Sequence, residues 1–322
     1  MSQLLKVGIV MDPIENIKPY KDSSFAMLLE AQRRGHELIY MQPEDIFLKN
    51  GCAFANVSEL KVWDKEFSDT DSQFFGFGKS YLANLSDLDI ILIRQDPPFT
   101  NDYLYCTHFL ELAEAEGVIV VNKPQSLRDA NEKLFASWFP HCIPTTLVSA
   151  SVEEIKNFIK EHKDVILKPL DAMGGASIFR VKHGDTNTNV ILETMTDYGK
   201  HHIMAQIFLP EIKQGDKRIL LINGQPVPYA LARIPAKGEN RGNIAAGGRG
   251  VGVELSERDY WLCEQIKPTL QKKGLHFVGL DVIGDYITEI NVTSPTCIRE
   301  LDKQYKLNIA GTLFDHLETL IN

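Results

Sequence analysis

The sequence predicts an open α/β domain at the N-terminus, followed by an α+β region built on antiparallel sheets. Three observations carry this. A short apolar run at residues 6–11 leads through a loop into an amphipathic helix and a second strand, the usual opening of an α/β domain. Composition shifts near residue 125, just after Asn122-Lys123-Pro124. Beyond it, strand-like runs come in pairs joined by Asn223-Gly224 and by a Gly284-Asp285 punctuation, which are hairpin signals. A chain of 322 residues has length for two or three domains and a sizeable core.

Bulk composition narrows the function. Lys and Arg number 34 against 43 Asp and Glu, a formal net charge of −9. That argues against sequence-independent nucleic-acid binding across the whole surface. Cys52, Cys106, Cys142, Cys263 and Cys297 are odd in number and form no CxxC pair. This disfavours a disulfide framework and a zinc site and points to a reducing cytoplasm. The first residues show no secretory pattern, and no apolar run is long enough to span a membrane.

Taken in order, residues 23–34 read as a helix that Ser23 or Ser24 can cap and Gly35 ends. Residues 37–41 are the next strand. Residues 46–48 and 59–62 are strand-like around the turn Asn50-Gly51, and the aromatic-glycine stretch 74–78 reads as a loop packed on the core. A buried strand at 89–93 runs into Arg94-Gln95-Asp96. In open α/β sheets ligands gather beyond the carboxyl ends of strands, so Asp12 and Arg94 can face one crevice. Arg94 can equally pair with Asp96 or Asp12 at the surface. A helix at 103–116, a strand at 118–121 and a helix at 127–139 carrying Lys133 follow.

Ser151 and Glu154 read as a capping box for a helix over 151–160. Lys168 ends the apolar strand 165–170 and enters a loop holding Gly174-Gly175, whose small residues let backbone N–H groups approach phosphate oxygens. A bare Gly-Gly between strands is otherwise an ordinary hairpin turn. Strands at 203–209, 219–222 and 227–233 lead to a glycine-rich segment at 234–252 containing Arg241 and Arg249. It holds too many glycines for an element and suits an anion-covering lid. A helix at 259–273, interrupted near Pro268, precedes the hairpin 277–291, and a helix at 309–320 closes the chain.

That last hairpin holds Asp281, Glu289 and Asn291 inside apolar runs, where a carboxylate is costly without a charged partner. Glu289 and Asn291 share a face. A three-residue turn at 284–286 places Asp281 opposite Glu289. A two-residue turn pairs it with Thr288 and sends Glu289 to the other side. In the first register three hard oxygen donors converge, a set suited to Mg²⁺.

Several phrases then point to a family: Val10-Met11-Asp12-Pro13, Asn122-Lys123-Pro124-Gln125-Ser126-Leu127-Arg128, Ile166-Leu167-Lys168-Pro169-Leu170-Asp171, Gly174-Gly175-Ala176-Ser177-Ile178-Phe179-Arg180, Ala245-Ala246-Gly247-Gly248-Arg249-Gly250, and Thr288-Glu289-Ile290-Asn291-Val292-Thr293-Ser294-Pro295-Thr296. They resemble bacterial-type glutathione synthetase, of the ATP-grasp superfamily. The likeness runs from about residue 6 to the last helix and is weakest at 50–86 and 183–202.

The resemblance implies an N-terminal pre-ATP-grasp, substrate-binding domain (1–125), a central ATP-grasp subdomain over the phosphates (126–203) and a C-terminal subdomain with the metal site (204–322). It implies ligation of γ-glutamylcysteine to glycine with ATP, through an acyl phosphate. Lys133, Lys168, Asp171, Gly174, Gly175, Ser177 and Asp216 are implied at ATP, with Gln206, Ile207, Phe208 and Leu209 as the adenine hinge. Arg218, Arg233 and Arg241 are implied catalytic, neutralising the acyl phosphate. Asp12, Ser24, Arg94 and Ser294 are implied at the peptide substrate. Asp281, Glu289 and Asn291 are implied to hold Mg²⁺, as two ions, with Mn²⁺ as a substitute. A cytoplasmic homotetramer without nucleic-acid or membrane partners is also implied. The rivals are another ATP-grasp carboxylate–amine ligase, such as a D-alanine–D-alanine ligase relative, and a non-catalytic nucleotide-binding subunit.

Overall fold

The structure is a computed structural model that describes residues 4–64, 73–172, 174–236 and 248–321. Its first sheet has seven strands: β1 (Lys6–Val10), β2 (Glu37–Met41), β3 (Ile46–Lys49), β4 (Cys52–Val62), β5 (Phe75–Asn84), β6 (Ile90–Ile93) and β7 (Ile119–Val121). The apolar β1, β2, β6 and β7 pair in parallel, as buried α/β strands do. The β3–β4–β5 meander adds antiparallel strands beside β2. The order β2-β1-β6 reverses direction at β1, so the loops after β1 and β6 flank a natural crevice. α1 (Ser23–Arg33) and α2 (Asn101–Ala115) flank this sheet, and the short α3 (Pro124–Asp129) leaves it.

A second, four-stranded antiparallel sheet holds β8 (Thr146–Ser149), β9 (Asp164–Pro169), β10 (Phe179–Lys182) and β11 (Ile203–Ile207), with α4 (Val152–His162) and α5 (Thr188–Thr196). Its apolar core, including Ile155, Leu167 and Ile203, is its own. A third antiparallel sheet is ordered β14-β13-β12-β15-β16, from β12 (Asp216–Ile222), β13 (Gln225–Ile234), β14 (Arg249–Glu254), β15 (Phe277–Ile283) and β16 (Tyr286–Asn291). With it come α6 (Glu257–Lys272), α7 (Ile298–Tyr305) and α8 (Ile309–Glu318). Its core is continuous with that of the first sheet, on both sides.

Polar struts fasten these two sheets as well. The Asn122 side chain donates to the carbonyls of Phe277 and Val292, both at 2.7 Å, and accepts from Phe277 N at 2.9 Å. All three bonds are buried, so the amide is fully engaged. Arg34 bonds Asp315 and Glu318 of α8 at 2.6 and 2.9 Å.

Several elements differ from expectation, each for a local reason. Asp22, not Ser23 or Ser24, caps α1, its carboxylate accepting from Phe25 N at 2.7 Å. The stretch 74–78 belongs largely to β5; a Cβ at Gly76 would sit 2.9 Å from the Trp63 ring, so the glycine admits a cross-strand aromatic. The helix expected at 127–139 breaks because the Asn131 side chain accepts from Lys133 N and Leu134 N, competing with the helical ladder. Ser151 caps α4, but Glu154 turns to the Ser149 hydroxyl at 2.5 Å instead of closing a capping box. α6 runs unbroken through Pro268, whose missing N–H is outweighed by Leu262, Cys263, Ile266 and Leu270 packing on both sides of it. Arg249–Glu254 forms a strand despite its glycines, and α7 follows a loop with no helical signal.

Candidate active site

The hairpin register settles between the two sequence alternatives in an unexpected way. The tip is a two-residue turn, Gly284-Asp285, with Ile283 opposite Tyr286. Gly284 takes φ +57°, which favours glycine. A bulge at Thr288 then adds one residue to β16, and Asp281 lands opposite Glu289, with Asn291 opposite Gly279. The facing pair expected of a three-residue turn is reached by a shorter turn plus a bulge. Asp281, Glu289 and Asn291 all line one cleft of about 830 Å³.

β12 lies on the other side of β15 and brings Arg218 directly opposite Asp281. The guanidinium lies along the strand and grips the carboxylate in a fork, Nε to Oδ1 at 2.5 Å and Nη2 to Oδ2 at 2.9 Å. Gly279 makes the space: a Cβ there would stand 3.0 Å from Arg218 Cδ and 2.8 Å from Pro295 Cβ. Arg233 on β13 reaches the same carboxylate at 2.9 Å and also binds the Asp216 carboxylate. Burial alone would raise the Asp281 carboxyl, but the two guanidiniums hold it below the usual carboxylate range. Burial pushes the Asp216 carboxyl up to about 6 against the pull of Arg233, and its Oδ1 has no hydrogen-bond partner among the described residues.

Two lysines meet this cluster from other elements. Lys168, at the end of β9, is 8% exposed, and its ammonium has no hydrogen bond or ion pair among the described residues. Burial lowers its ammonium while Glu289 opposes the shift. Lys133, in the turn that Asn131 makes, bonds Glu132 at 2.6 Å and the Ala172 carbonyl at 2.8 Å, and stands 3.8 Å from Glu289. Glu132 is the residue sequence reasoning missed. It lines the cleft, and burial together with the Glu289 charge raises its carboxyl. Its only signal was its place beside Lys133.

The loop between β9 and β10 supplies Gly174 and Gly175, at φ +66° and +80°, to the cleft wall. Asp171 and Ser177 lie exposed on the same loop and do not line the cleft. Gln206, Ile207, Phe208 and Leu209 line it at the end of β11, beside Pro144, Ile166 and Ile212. The Gln206 amide donates to Thr146 at 3.0 Å. Phe208 is clamped under the Arg180 guanidinium, 3.4 Å from the ring centroid.

On the first-sheet side, Asp12 and Ser294 line the cleft. Asp12 accepts from Asp96 N at 2.9 Å. Arg94 and Ser24 do not reach it, and Arg94 forms neither surface pair considered for it. Its guanidinium is 5% exposed and donates to Ser24 Oγ at 3.0 Å and to the Pro295 carbonyl at 2.9 Å, beneath the cleft. Arg241, and with it most of the expected lid segment, lies outside the described residues.

A magnesium ion suits this donor set. Among the described residues no three His, Cys, Asp or Glu side chains group as a metal cage. Mg²⁺ does not ask for one, because it keeps waters and takes one or two carboxylates plus phosphate oxygens. Asp281 and Glu289 supply those carboxylates. Asn291 lines the cleft with them, and its buried amide nitrogen has no hydrogen-bond partner among the described residues. The set fits.

Comparisons with known proteins show which family the chain resembles along its length. Residues 5–128 match the family description "Prokaryotic glutathione synthetase, N-terminal domain", and residues 132–306 match "Prokaryotic glutathione synthetase, ATP-grasp domain". The chain is 57% identical over 315 residues to the glutathione synthetase of Vibrio cholerae, with 98% of each chain covered. It is 58% identical to that of Pseudomonas syringae pv. tomato, covering 98% of this chain and 97% of the relative. It is 56% identical to that of Escherichia coli (strain K12), with 98% of each covered. Solved structures similar in fold include the ATP-grasp ligase PsnB complexed with minimal precursor, Mg and ADP (TM-score 0.62, 16% identity, 98% and 97% covered). Another is the D-cycloserine synthetase DcsG (TM-score 0.65, 13% identity, 97% and 99% covered). No helix among the described residues is long and apolar enough to cross a membrane. With both halves matched and such identity along nearly its full length, the chain belongs to the prokaryotic glutathione synthetase family.

Proposed function

We propose that this chain ligates γ-glutamylcysteine to glycine with ATP, giving glutathione, ADP and phosphate through an acyl phosphate. One observation carries the reading: two cationic lysines, a left-handed Gly-Gly loop, two buried arginines and the Asp281–Glu289–Asn291 donors meet in one cleft of a chain of this family. A carboxylate resists amines until one oxygen becomes a good leaving group. Phosphoryl transfer from ATP provides it and needs positioning and charge neutralisation more than a protein nucleophile.

In this reading the adenine sits on the Gln206–Leu209 hinge against the apolar side chains there. Lys133 and Lys168 meet the phosphates, and the 171–177 loop, with Asp171, Gly174, Gly175 and Ser177, covers them. A triphosphate would give Lys168 the partner its buried site lacks. Asp216 holds Arg233 toward the reacting group. Arg218 and Arg233, with Arg241, neutralise charge on the acyl phosphate. Asp281, Glu289 and Asn291 would hold Mg²⁺, or Mn²⁺ in its place, and the ion supplies charge neutralisation for phosphate oxygens. Asp12 and Ser294 contact the peptide substrate, while Arg94 and Ser24 act through the Pro295 carbonyl and position the loop that bears Ser294. We assign residues 1–125, 126–203 and 204–322 as three units, and a cytoplasmic homotetramer as the assembly.

The test is ADP release with γ-glutamylcysteine, with and without glycine, beside D-alanine as the rival substrate. Glycine-dependent ADP release with formation of glutathione is expected. Turnover on D-alanine alone would transfer the chain to the rival ligase class.

A further inference from the structure

Two histidines outside the cleft meet where β15 begins against α8. His276 Nδ1 lies 3.0 Å from His316 Nε2, with ring centroids 5.1 Å apart and planes inclined at 41°. Neither residue lines the cleft. In a neutral pair of this kind one nitrogen donates a hydrogen to the lone pair of the other. A cation taking the place of that hydrogen would meet two lone pairs at once.

The spacing is that of a chelate. Imidazole nitrogens bind first-row metal ions at about 2.0–2.1 Å. Two of them in adjacent square positions then stand about 2.9 Å apart, and at a tetrahedral angle about 3.4 Å. The observed 3.0 Å falls within that interval. Both rings stand on fixed backbone. The His276 carbonyl accepts from Asn223 N at 2.8 Å, and His316 lies between the fully buried Phe314 and Leu317 of α8. The pair is therefore largely preorganised. Both residues are only half-buried, so an ion can reach them from solvent. Burial, helped by the His316 and Lys123 charges, holds the His276 imidazole down at about 4, and burial lowers that of His316 too. Both rings are thus neutral at pH 7, the form that binds metal. Glu114 stands 3.5 Å from the Lys123 ammonium and offsets part of its repulsion.

We infer that His276 Nδ1 and His316 Nε2 form a chelating site for a divalent ion of the zinc, nickel or copper class, separate from the magnesium donors of the cleft, and that the bound ion ties α8 to β15. The proton between the rings moves to the outer nitrogen of the ring that held it, so binding changes a tautomer and not the charge of the protein. His276 Nε2 and His316 Nδ1 have no hydrogen-bond partner among the described residues and can each carry it. Water fills the remaining coordination positions. Mg²⁺ does not compete, because it takes oxygen donors.

Two donors are half the set of a structural zinc site, which implies a Kd for Zn²⁺ on the order of 1–100 µM at pH 7. The test is calorimetric titration of the whole chain with Zn²⁺, in excess Mg²⁺ to occupy the cleft, together with the electron paramagnetic resonance spectrum of its Cu²⁺ adduct. Binding in that range is expected, with a Cu²⁺ spectrum split by two nitrogens. His276→Gln and His316→Gln should each weaken Zn²⁺ binding by about tenfold or more and remove one nitrogen from the Cu²⁺ spectrum. Zn²⁺ at about 100 times its Kd should raise the thermal midpoint of the parent by about 5 °C and leave both variants nearly unmoved. Glycine-dependent ADP release should be the same in all three, since neither histidine touches the cleft. Zn²⁺ binding of parent strength in either variant overturns the site. So does a parent Cu²⁺ spectrum with fewer than two nitrogens, a measurement that decides the matter even where a substitution unfolds the chain. Either failure leaves the proposed ligation standing, and failure of the ligation leaves the metal site standing.

Discussion

Gly279→Ala isolates the space on which the arginine cluster depends. Gly279 does not sit in the left-handed region, so the backbone itself accepts alanine. Glycine in a strand weakens it, and on propensity alone the change should stabilise by about 0.5–1 kcal/mol. The structure predicts the opposite sign. The new methyl would stand 2.8 Å from Pro295 Cβ and 3.0 Å from Arg218 Cδ, closer than carbon atoms pack. Pro295 is a buried ring in the loop that Arg94 grips, so it cannot swing away cheaply. Overpacking of this kind costs about 1–3 kcal/mol. Displacing Arg218 from Asp281 would add part of the roughly 3–5 kcal/mol of a broken buried pair. A net loss of about 2–4 kcal/mol is expected in urea unfolding, with a larger change in kcat than in the KM for ATP if Arg218 neutralises the acyl phosphate as proposed. Equal or greater stability with unchanged kcat would refute the packing argument and the role it gives Gly279.

Glu289→Gln should fold normally yet lose on the order of 10²-fold or more in kcat, because it removes a charge from the donor set without changing volume; near-parent turnover at saturating Mg²⁺ would remove it from that set. Asn122→Ala strands two carbonyls and one N–H in a buried junction, so a loss of about 3 kcal/mol or more is expected by denaturant titration, against well under 1 kcal/mol if the amide were idle. His276 Nδ1 lies 3.0 Å from His316 Nε2, and burial with the His316 and Lys123 charges pushes His276 from 6.5 down to about 4. A base depressed in the fold gives stability above its unfolded pKa that is lost as pH falls through the folded one. Stability should therefore drop between about pH 6.5 and 4, by about 2 kcal/mol after allowance for partial exposure, and His276→Gln should flatten that slope.

What the sequence made legible was local. The α/β opening, the Lys168 strand running into its glycine loop, and the pairing of strands around Asn223-Gly224 all follow from short-range periodicity and turn chemistry. The hairpin of Asp281 shows where that stops. Its polar residues were identifiable, but a bulge at Thr288 has no signal in residue type, and it alone decides which face Glu289 takes. Arg94 could be placed at the end of a strand, yet its main partner is a carbonyl 201 residues away, and no local rule reaches that far. The apolar spacing over 127–139 predicts one helix, whereas the Asn131 side chain competes for the backbone donors of Lys133 and Leu134 and ends it early.

The struts at Asn122 and Arg94 have a consequence for the order in which the protein can be made. Both residues belong to the part of the chain that leaves the ribosome first, and their partners, Phe277, Val292 and Pro295, are among the last third to be synthesised. Until those arrive, the Asn122 amide lacks its carbonyl partners, Arg94 has Ser24 alone, and Arg34, held only by Glu30, waits for α8. The N-terminal segment is thus built to mature only when the C-terminus closes back on it. A fragment ending at residue 128, although it spans the whole matched N-terminal family region, would be expected to collect in chaperone-bound or insoluble form when expressed alone. Supplying residues 132–321 as a separate chain should recover it as a soluble complex.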